Sequence, residues 1–353
     1  MWNRRELVRS LISGATGVPV AAVWGEARPT KPPVPVRAPF AHVQVAVENR
    51  ASFCDLPLTI AERLGYFAAE GVDVQIREFA EPGRALQALL GGTVTAMSGP
   101  YSASLTLQAR GHSFPSIVLQ GRAPQLVLGV SRRSMAGFRT MRDFQGRRVA
   151  ITGLSSGSHR MMLLLLQSVR VDPAAVQFVA LDSPTTAAAS FRNGLVDAIC
   201  YTDPVMTQLE QEGELRVVAD TRTLRGSSEV FGGPMPAACL SVPAEYLASQ
   251  EAVCQAMVNA MVRALKWLQT AGPSDINRTV PEAYFRGDRS LYLAAFSRAR
   301  DAWTSDGLMP ENGPATAAKV LARLNVSLTA HDIDLSRTYT NALAIKAKAR
   351  YRA

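Results

Sequence analysis

The densest chemistry in this sequence lies in Gly153-Leu154-Ser155-Ser156-Gly157-Ser158-His159, small residues and hydroxyls between an apolar run and a helical pattern. Arg147–Thr152 reads as a short strand and Arg160–Val169 as a helix, so the loop sits at a helix N-terminus. Unpaired N–H groups and the helix dipole favour an anion there. Ser156, Ser158 and His159 can add hydrogen bonds to it. Two other polar turns have the same character, Ser98-Gly99-Pro100-Tyr101-Ser102 and Tyr201-Thr202-Asp203-Pro204. Tyr101 offers an aromatic face and Asp203 a hydrogen-bond acceptor. Asp203 also suits a helix cap just before a proline at the first helical position.

The serine loop admits a second chemistry. Gly153-Leu154-Ser155-Ser156-Gly157 fits G-x-S-x-G, the strand–turn–helix motif that exposes a nucleophilic serine in α/β-hydrolases, with Ser155 as nucleophile. Such an esterase needs an acid and then a histidine downstream. Past the helix only His331 is available, with Asp288, Asp301 or Asp306 to serve it, and no His-Gly-Gly-Gly run precedes the serine. The expectation is therefore a binding protein without a catalytic residue, and the hydrolase is the alternative. No phosphate loop, H-E-x-x-H or Cys/His metal spacing occurs, so neither cofactor nor metal is expected.

The elements that must position these turns carry an internal repeat. Val74–Ala96 aligns on Val176–Ala198 at an offset of 102 residues, matching Val74/Val176, Gln75/Gln177, Pro82/Pro184, Ala85/Ala187, Gly92/Gly194, Val94/Val196 and Ala96/Ala198. Each copy reads as strand (Val72–Phe79; Val176–Leu181), helix opened by Pro82 or Pro184, glycine turn, and second strand (Val94–Met97; Val196–Cys200). Strand, helix and parallel strand in alternation mean an α/β sheet covered on both faces. Ligands of such sheets bind outside the carboxyl ends of the strands, where both Pro-bearing turns fall. His42–Glu48 is a further strand, followed by a helix from near Pro57 to near Gly71. Gly226, Gly232, Gly233, Pro234 and Pro236 read as a return crossover, and residues 243–271 and 281–353 as mostly helical. The first-half arginines nearest the turns are Arg50, Arg84 and Arg122, each read as a solvated surface residue.

Composition removes other classes. The 353 residues are 47% hydrophobic and 19% charged, which excludes a disordered chain. The net charge of +9 comes almost wholly from scattered arginine, since only five of the 38 cations are Lys, so no nucleic-acid surface is expected. Residues 1–27 read as an export signal: Arg4-Arg5, a mildly apolar stretch Leu11–Trp24, then Gly25-Glu26-Ala27. Arg4-Arg5-Glu6-Leu7-Val8 also has the twin-arginine form. Residues 28–39, with five prolines, form an extended spacer. Of the four cysteines (54, 200, 239, 254), Cys200 reads as a buried thiol and Cys239–Cys254 as the pair to test for a bridge.

These residues resemble a known family. Leu58-Thr59-Ile60-Ala61-Glu62-Arg63-Leu64-Gly65-Tyr66-Phe67 followed by Glu70-Gly71-Val72-Asp73-Val74 is similar to a run typical of nitrate/sulfonate/taurine-type periplasmic solute-binding proteins. Asp143-Phe144-Gln145-Gly146-Arg147-Arg148-Val149-Ala150 and Gly194-Leu195-Val196-Asp197-Ala198 with Asp203-Pro204 resemble its second-lobe segments. The likeness covers about residues 40–240. It implies a two-lobed type II periplasmic binding fold, each lobe a mixed α/β sheet flanked by helices. Lobe one would be 40–122 plus 236–353 and lobe two 123–235, with the ligand cleft between them. It further implies a periplasmic, monomeric component of an ABC importer that closes on a small organic anion, a sulfonate or carboxylate with an aromatic or aliphatic body. Delivery would be to a permease in the inner membrane, or presentation to a membrane receptor. Ligand contacts carried over from the family fall at Asn49 and Arg50, at Ser98, Gly99, Tyr101 and Ser102, at Ser155, Ser156, Gly157, Ser158 and His159, and at Thr202 and Asp203. Thiamine-pyrimidine synthases of the same superfamily use Lys and His in the first-lobe helix, and residues 49–70 contain neither.

Overall fold

The computed structural model describes residues 40–79, 81, 83–324 and 333–353. The expected export signal, the proline spacer, Pro82 and His331 lie outside these residues. Ten strands are formed: β1 (Ala41–Val47), β2 (Val72–Glu78), β3 (Ala96–Pro100), β4 (Ser116–Leu119), β5 (Leu126–Ser131), β6 (Arg148–Ile151), β7 (Gln177–Ala180), β8 (Ala198–Thr202), β9 (Leu215–Asp220) and β10 (Ala238–Ser241). They build two five-stranded sheets, ordered β2-β1-β3-β10-β4 and β7-β6-β8-β5-β9. In each sheet one strand runs against its neighbours: β10 is antiparallel to β3 and β4, and β5 to β8 and β9. Each crossing between sheets thus feeds the reversed strand of the sheet it enters.

The sequence repeat is a repeat of structure. The central pairing is Val45 with Ala96 in the first sheet and Val149 with Ala198 in the second. Ala85 and Ala187 are fully buried, and Gly92 and Gly194 both turn the chain with φ near +70° (68° and 70°), where a side chain would be strained. Pro184 opens the helix Pro184–Arg192, with Ser183 accepting from the Thr186 N–H. The second strands begin two residues later than the apolar runs suggest. Val94 and Val196 pack in the core, and the ladder to the central strand starts only at Ala96 and Ala198. The helix after β1 is two pieces, Leu56–Arg63 and Tyr66–Ala69, divided at Gly65.

The stretch after Ala219 is the return crossover, from β9 in the second sheet to β10 in the first, and it contains a helix the sequence does not announce, Leu224–Phe231, capped by Thr223. Gly226 lies inside it because a Cβ would stand 1.9 Å from the Asp220 carbonyl oxygen, so the glycine serves close backbone approach rather than a turn. Gly226→Ala is expected to cost about 1–3 kcal/mol by forcing the helix off β9, and thermal melting of the variant measures it.

The larger core lies under the first sheet. The helix Glu251–Thr270 buries Met257, Val258, Met261, Leu265 and Leu268 against Ile60, Val43 and Val45. Trp303, wholly buried, donates its indole N–H to the Phe53 carbonyl at 2.8 Å, which fixes the loop after β1. All four cysteines are free thiols, so Cys239 and Cys254 are not bridged. Among the described residues no helix is long and apolar enough to cross a membrane.

The two crossings run side by side. Gly121 donates to the Ala238 carbonyl at 3.0 Å and accepts from the Ala237 N–H at 2.8 Å. This pair of extended segments is the covalent link between the sheets, and it brings the carboxyl ends of β3, β6 and β8 into one neighbourhood.

Candidate functional site

At the carboxyl end of the first sheet, the chain leaving β1 makes a short 3-10 turn, Phe53–Asp55, whose first N–H groups are capped by Ser52. That turn buries Asp55 against the end of β3. Ser98 donates its hydroxyl to Asp55 Oδ1 at 2.6 Å, and Gln120 Nε2 donates to Ser98 Oγ at 2.8 Å. Burial pushes the Asp55 carboxyl up to about 7; the Ser98 hydrogen bond opposes this, while Glu48 and Glu78 add to it. Gln120 is fully buried, and its Oε1 has no hydrogen-bond partner.

At the carboxyl end of the second sheet, β6 runs into the serine loop. Ser156 caps the helix Gly157–Ser168, accepting from the His159 N–H at 3.3 Å. Ser158 is buried; its Oγ accepts from the Thr152 N–H and lies 2.9 Å from the hydroxyls of both Thr152 and Ser156. His159 Nδ1 accepts the Ser155 N–H at 3.0 Å, and the ring meets Phe178 edge-on at 4.7 Å. Burial, and then the adjacent Arg160, lower the His159 pKa, so the imidazole is neutral at pH 7. Ser155 itself is exposed at φ 63°. The histidine beside it takes its backbone N–H and not its hydroxyl, an arrangement unlike a nucleophile with its base.

One turn into that helix, Arg160 reaches across to the other sheet. Its Nη1 donates to Ser102 Oγ at 3.3 Å, and Ser102 stands in the first turn of the helix Tyr101–Gln108 that follows β3. Arg160 is half-buried, burial lowers its pKa, and among the described residues no carboxylate pairs with it. A partly desolvated guanidinium without a counter-ion is a ready site for an anion.

The other expected contacts are spent elsewhere. Asp203 accepts from the Thr207 N–H at 2.9 Å and from Arg222 Nη1 at 3.2 Å. Arg222, 3% exposed, also holds Asp220 at 2.6 Å and Glu210 at 2.8 Å. Burial works against the Arg222 charge, but Asp220, Asp203 and Glu210 outweigh it and raise its pKa. Thr202 is half-buried at the end of β8, paired with Leu126 of β5. Tyr101 is fully buried with its hydroxyl 2.6 Å from Thr338 Oγ1, turned into the C-terminal segment. Gly99 is half-buried beside Met97, and Gly157 is exposed next to Leu126. Asn49 is exposed and closes a local turn by accepting from the Ala51 N–H at 3.0 Å.

Arg50 is not free on the surface. It pairs with Glu62, and its N–H donates to Glu78 at 3.2 Å. With Glu62, Glu78 and Tyr284 it lines an open pocket of about 590 Å³ on the flank of the first sheet. Arg63 lines it too, donating to the Thr279 carbonyl at 3.3 Å; with two acids on the walls, Arg50 neutralised by Glu62 and Arg63 so occupied, this pocket is a poorer anion site than Arg160. Arg84 pairs with Glu81 at the surface, and Arg122 donates to the Asp301 carbonyl at 2.9 Å.

The structure therefore brings Ser102 of the first sheet's side against Arg160, which follows Ser155, Ser156, Ser158 and His159 in the serine loop and first helical turn, while Ser98 is held between Asp55 and Gln120. Asp55, Gln120 and Arg160 are not among the residues the sequence singles out. Asp55 precedes Pro57 and reads as an ordinary helix-start acid, and Arg160 as the first residue of a helix; neither carries a motif. Further contacts join the halves, among them the Arg298–Glu210 ion pair and the packing of Val320 into the core of the second sheet.

Residues 55–271 match the family model described as NMT1/THI5 like. No protein with a curated description matches the chain by sequence. Among solved structures, a protein from Bordetella bronchiseptica RB50 is 38% identical, with a TM-score of 0.81 over 89% of this chain and 98% of that one. The periplasmic aliphatic sulphonate-binding protein SsuA from Escherichia coli is similar at 18% identity, TM-score 0.64, over 84% of this chain and 91% of its own. The periplasmic nitrate-binding protein NrtA from Synechocystis PCC 6803 gives 12%, 0.67, 88% and 89%. These two likenesses carry the fold, two mixed sheets flanked by helices in the two-lobed periplasmic-binding arrangement.

Proposed function

Because the chain belongs to the NMT1/THI5-like family, we propose that it is the solute-binding component of an ABC importer, capturing a small sulfonate or carboxylate between its two halves. The lobes are residues 40–122 plus 236–353 and residues 123–235, hinged at the paired crossings around Gly121 and Ala237. The exported chain works as a monomer in the periplasm and hands its solute to an inner-membrane permease.

The observation that supports the anion most directly is Arg160, half-buried, without a carboxylate partner, one turn inside a helix N-terminus and already bonded to Ser102 on the opposite side. An anion between them would take the guanidinium hydrogen bonds, the helix N-terminal N–H groups and the nearby hydroxyls. It would also tie the two halves together, which favours the closed form by the difference in affinity between the two states.

The test is a thermal-shift screen of the mature chain against aliphatic and aromatic sulfonates, carboxylates, nitrate and neutral pyrimidines. A ligand at 100 times its Kd adds about 2.7 kcal/mol of stability. Arg160→Met is expected to weaken binding of the best anion about 10–100-fold, the loss of one charged hydrogen-bonding partner. If only neutral or cationic compounds raise the melting point, or if Arg160→Met binds as well as the parent, the anion reading is wrong.

A further inference from the structure

The Asp55–Ser98–Gln120 chain has a directional hydrogen-bond balance. Ser98 has one proton, and at 2.6 Å it is given to Asp55, a length typical of a hydroxyl on a carboxylate. Ser98 must then accept from Gln120, which turns the amide NH2 toward Ser98 and the amide oxygen away. That oxygen is buried and unpartnered, in a side chain with no exposure at all. The carboxyl of Asp55 has no second side-chain partner among the described residues. With Asp55 ionised, every open valence of the cluster is thus an acceptor, and the Gln120 oxygen is one whether or not Asp55 carries a proton. Five residues on, at the other end of the crossing, Gln125 is 2% exposed with neither amide atom partnered, and its backbone is held in the left-handed region at φ 61°. Leaving a buried polar atom unpaired costs about 1–3 kcal/mol. A folded protein keeps such atoms at a site where something else completes them.

Ser98 lies near the carboxyl end of β3 and Ser102 in the first turn of the helix that follows it, so the acceptor cluster and the serine that Arg160 bonds stand at the same strand end. We infer that Asp55 and Gln120 form a second recognition element, which selects solutes bearing an O–H or N–H donor at the end away from the anionic group. This rests on the anion reading above only for the group at Arg160. The acceptor cluster stands on its own hydrogen-bond balance.

The experiment compares matched pairs of equal size and charge on the full chain by calorimetric titration. The pairs are isethionate with propanesulfonate and para-hydroxybenzoate with para-methylbenzoate, with para-cresol as a neutral donor. The donor-bearing member of a pair is expected to bind at least tenfold more tightly. Asp55→Asn and Gln120→Leu should each shrink the ratio of affinities within a pair several-fold, whatever either does to the methyl-bearing member alone. Gln120→Leu keeps the test open if Asp55→Asn folds poorly. Equal binding within both pairs, or a preference that survives both substitutions, overturns the donor inference and leaves the anion reading intact. Binding of para-cresol that depends on Asp55 and Gln120, with no anion bound, supports the donor inference and overturns the anion reading. No binding by any of the five overturns both.

Discussion

Replacing Arg222 with methionine is expected to destabilise the protein by about 3–5 kcal/mol, the cost of breaking a buried ion-pair network. Arg222 is 3% exposed and is held by three carboxylates, Asp203, Asp220 and Glu210, with a further contact to Thr207 at 3.3 Å. Methionine fills much of the same volume, so the loss is not chiefly a cavity. It is the stranding of acids whose only buried cation is gone, Asp203 above all, with a side chain 2% exposed. Arg222→Lys should recover only part, because an ammonium cannot reproduce the planar fork that reaches Asp220 and Asp203 together. Adding Asp203→Asn to the methionine variant should restore more than the sum of the single changes allows, since the two side chains share one interaction. Urea unfolding of the parent, the three single variants and the double variant measures these differences. A loss below about 1 kcal/mol for Arg222→Met would mean the network is solvated and weak.

The second large effect is a pH dependence from Asp55. Its carboxyl is pushed up to about 7 in the folded protein from an ordinary value of 3.8, with burial the main cause. The folded state therefore keeps a proton that the unfolded chain releases. Stability is highest below about pH 4, falls as the pH rises to about 7, and is level above that as far as this group is concerned. At about 1.4 kcal/mol per pH unit the fall is up to about 4 kcal/mol. Asp55→Asn removes the penalty, so the variant should be more stable than the parent at pH 8 and indistinguishable near pH 4. Chemical unfolding at the two pH values decides it; an equal stability difference at both would refute the assignment. The same substitution is expected to weaken donor-bearing ligands, so stability and recognition pull in opposite directions at this residue.

Much of the frame is legible along the chain. The offset of 102 residues aligns Ala85 with Ala187 and Gly92 with Gly194, and these positions are buried or left-handed in both copies because each helix must turn back tightly onto its sheet. The turn after each second strand is also legible, since Pro100 and Pro204 break the ladder where a helix begins. The site is legible only in part. Ser98, Ser102, Ser156 and Ser158 sit where the loops suggest. Tyr101 and Asp203 occupy equivalent turns, yet each is turned inward by a partner more than a dozen residues away, Thr338 and Arg222. A long-range partner leaves no trace in local spacing. The helix around Gly226 goes unannounced for the same reason, because the demand for glycine comes from a carbonyl outside the helix.

By itself, then, the sequence determined the alternation of strands and helices, the duplication, and the polar turns at the strand ends. Those depend on hydrophobic period and on backbone preferences that act within a few residues. Tertiary structure alone decided which polar groups remain open. Arg50, Arg122 and Arg222 are chemically identical to Arg160, and each is neutralised or occupied by a group brought from a distant segment. Among the described residues Arg160 is left without a carboxylate partner because the fold brings it a serine and no acid.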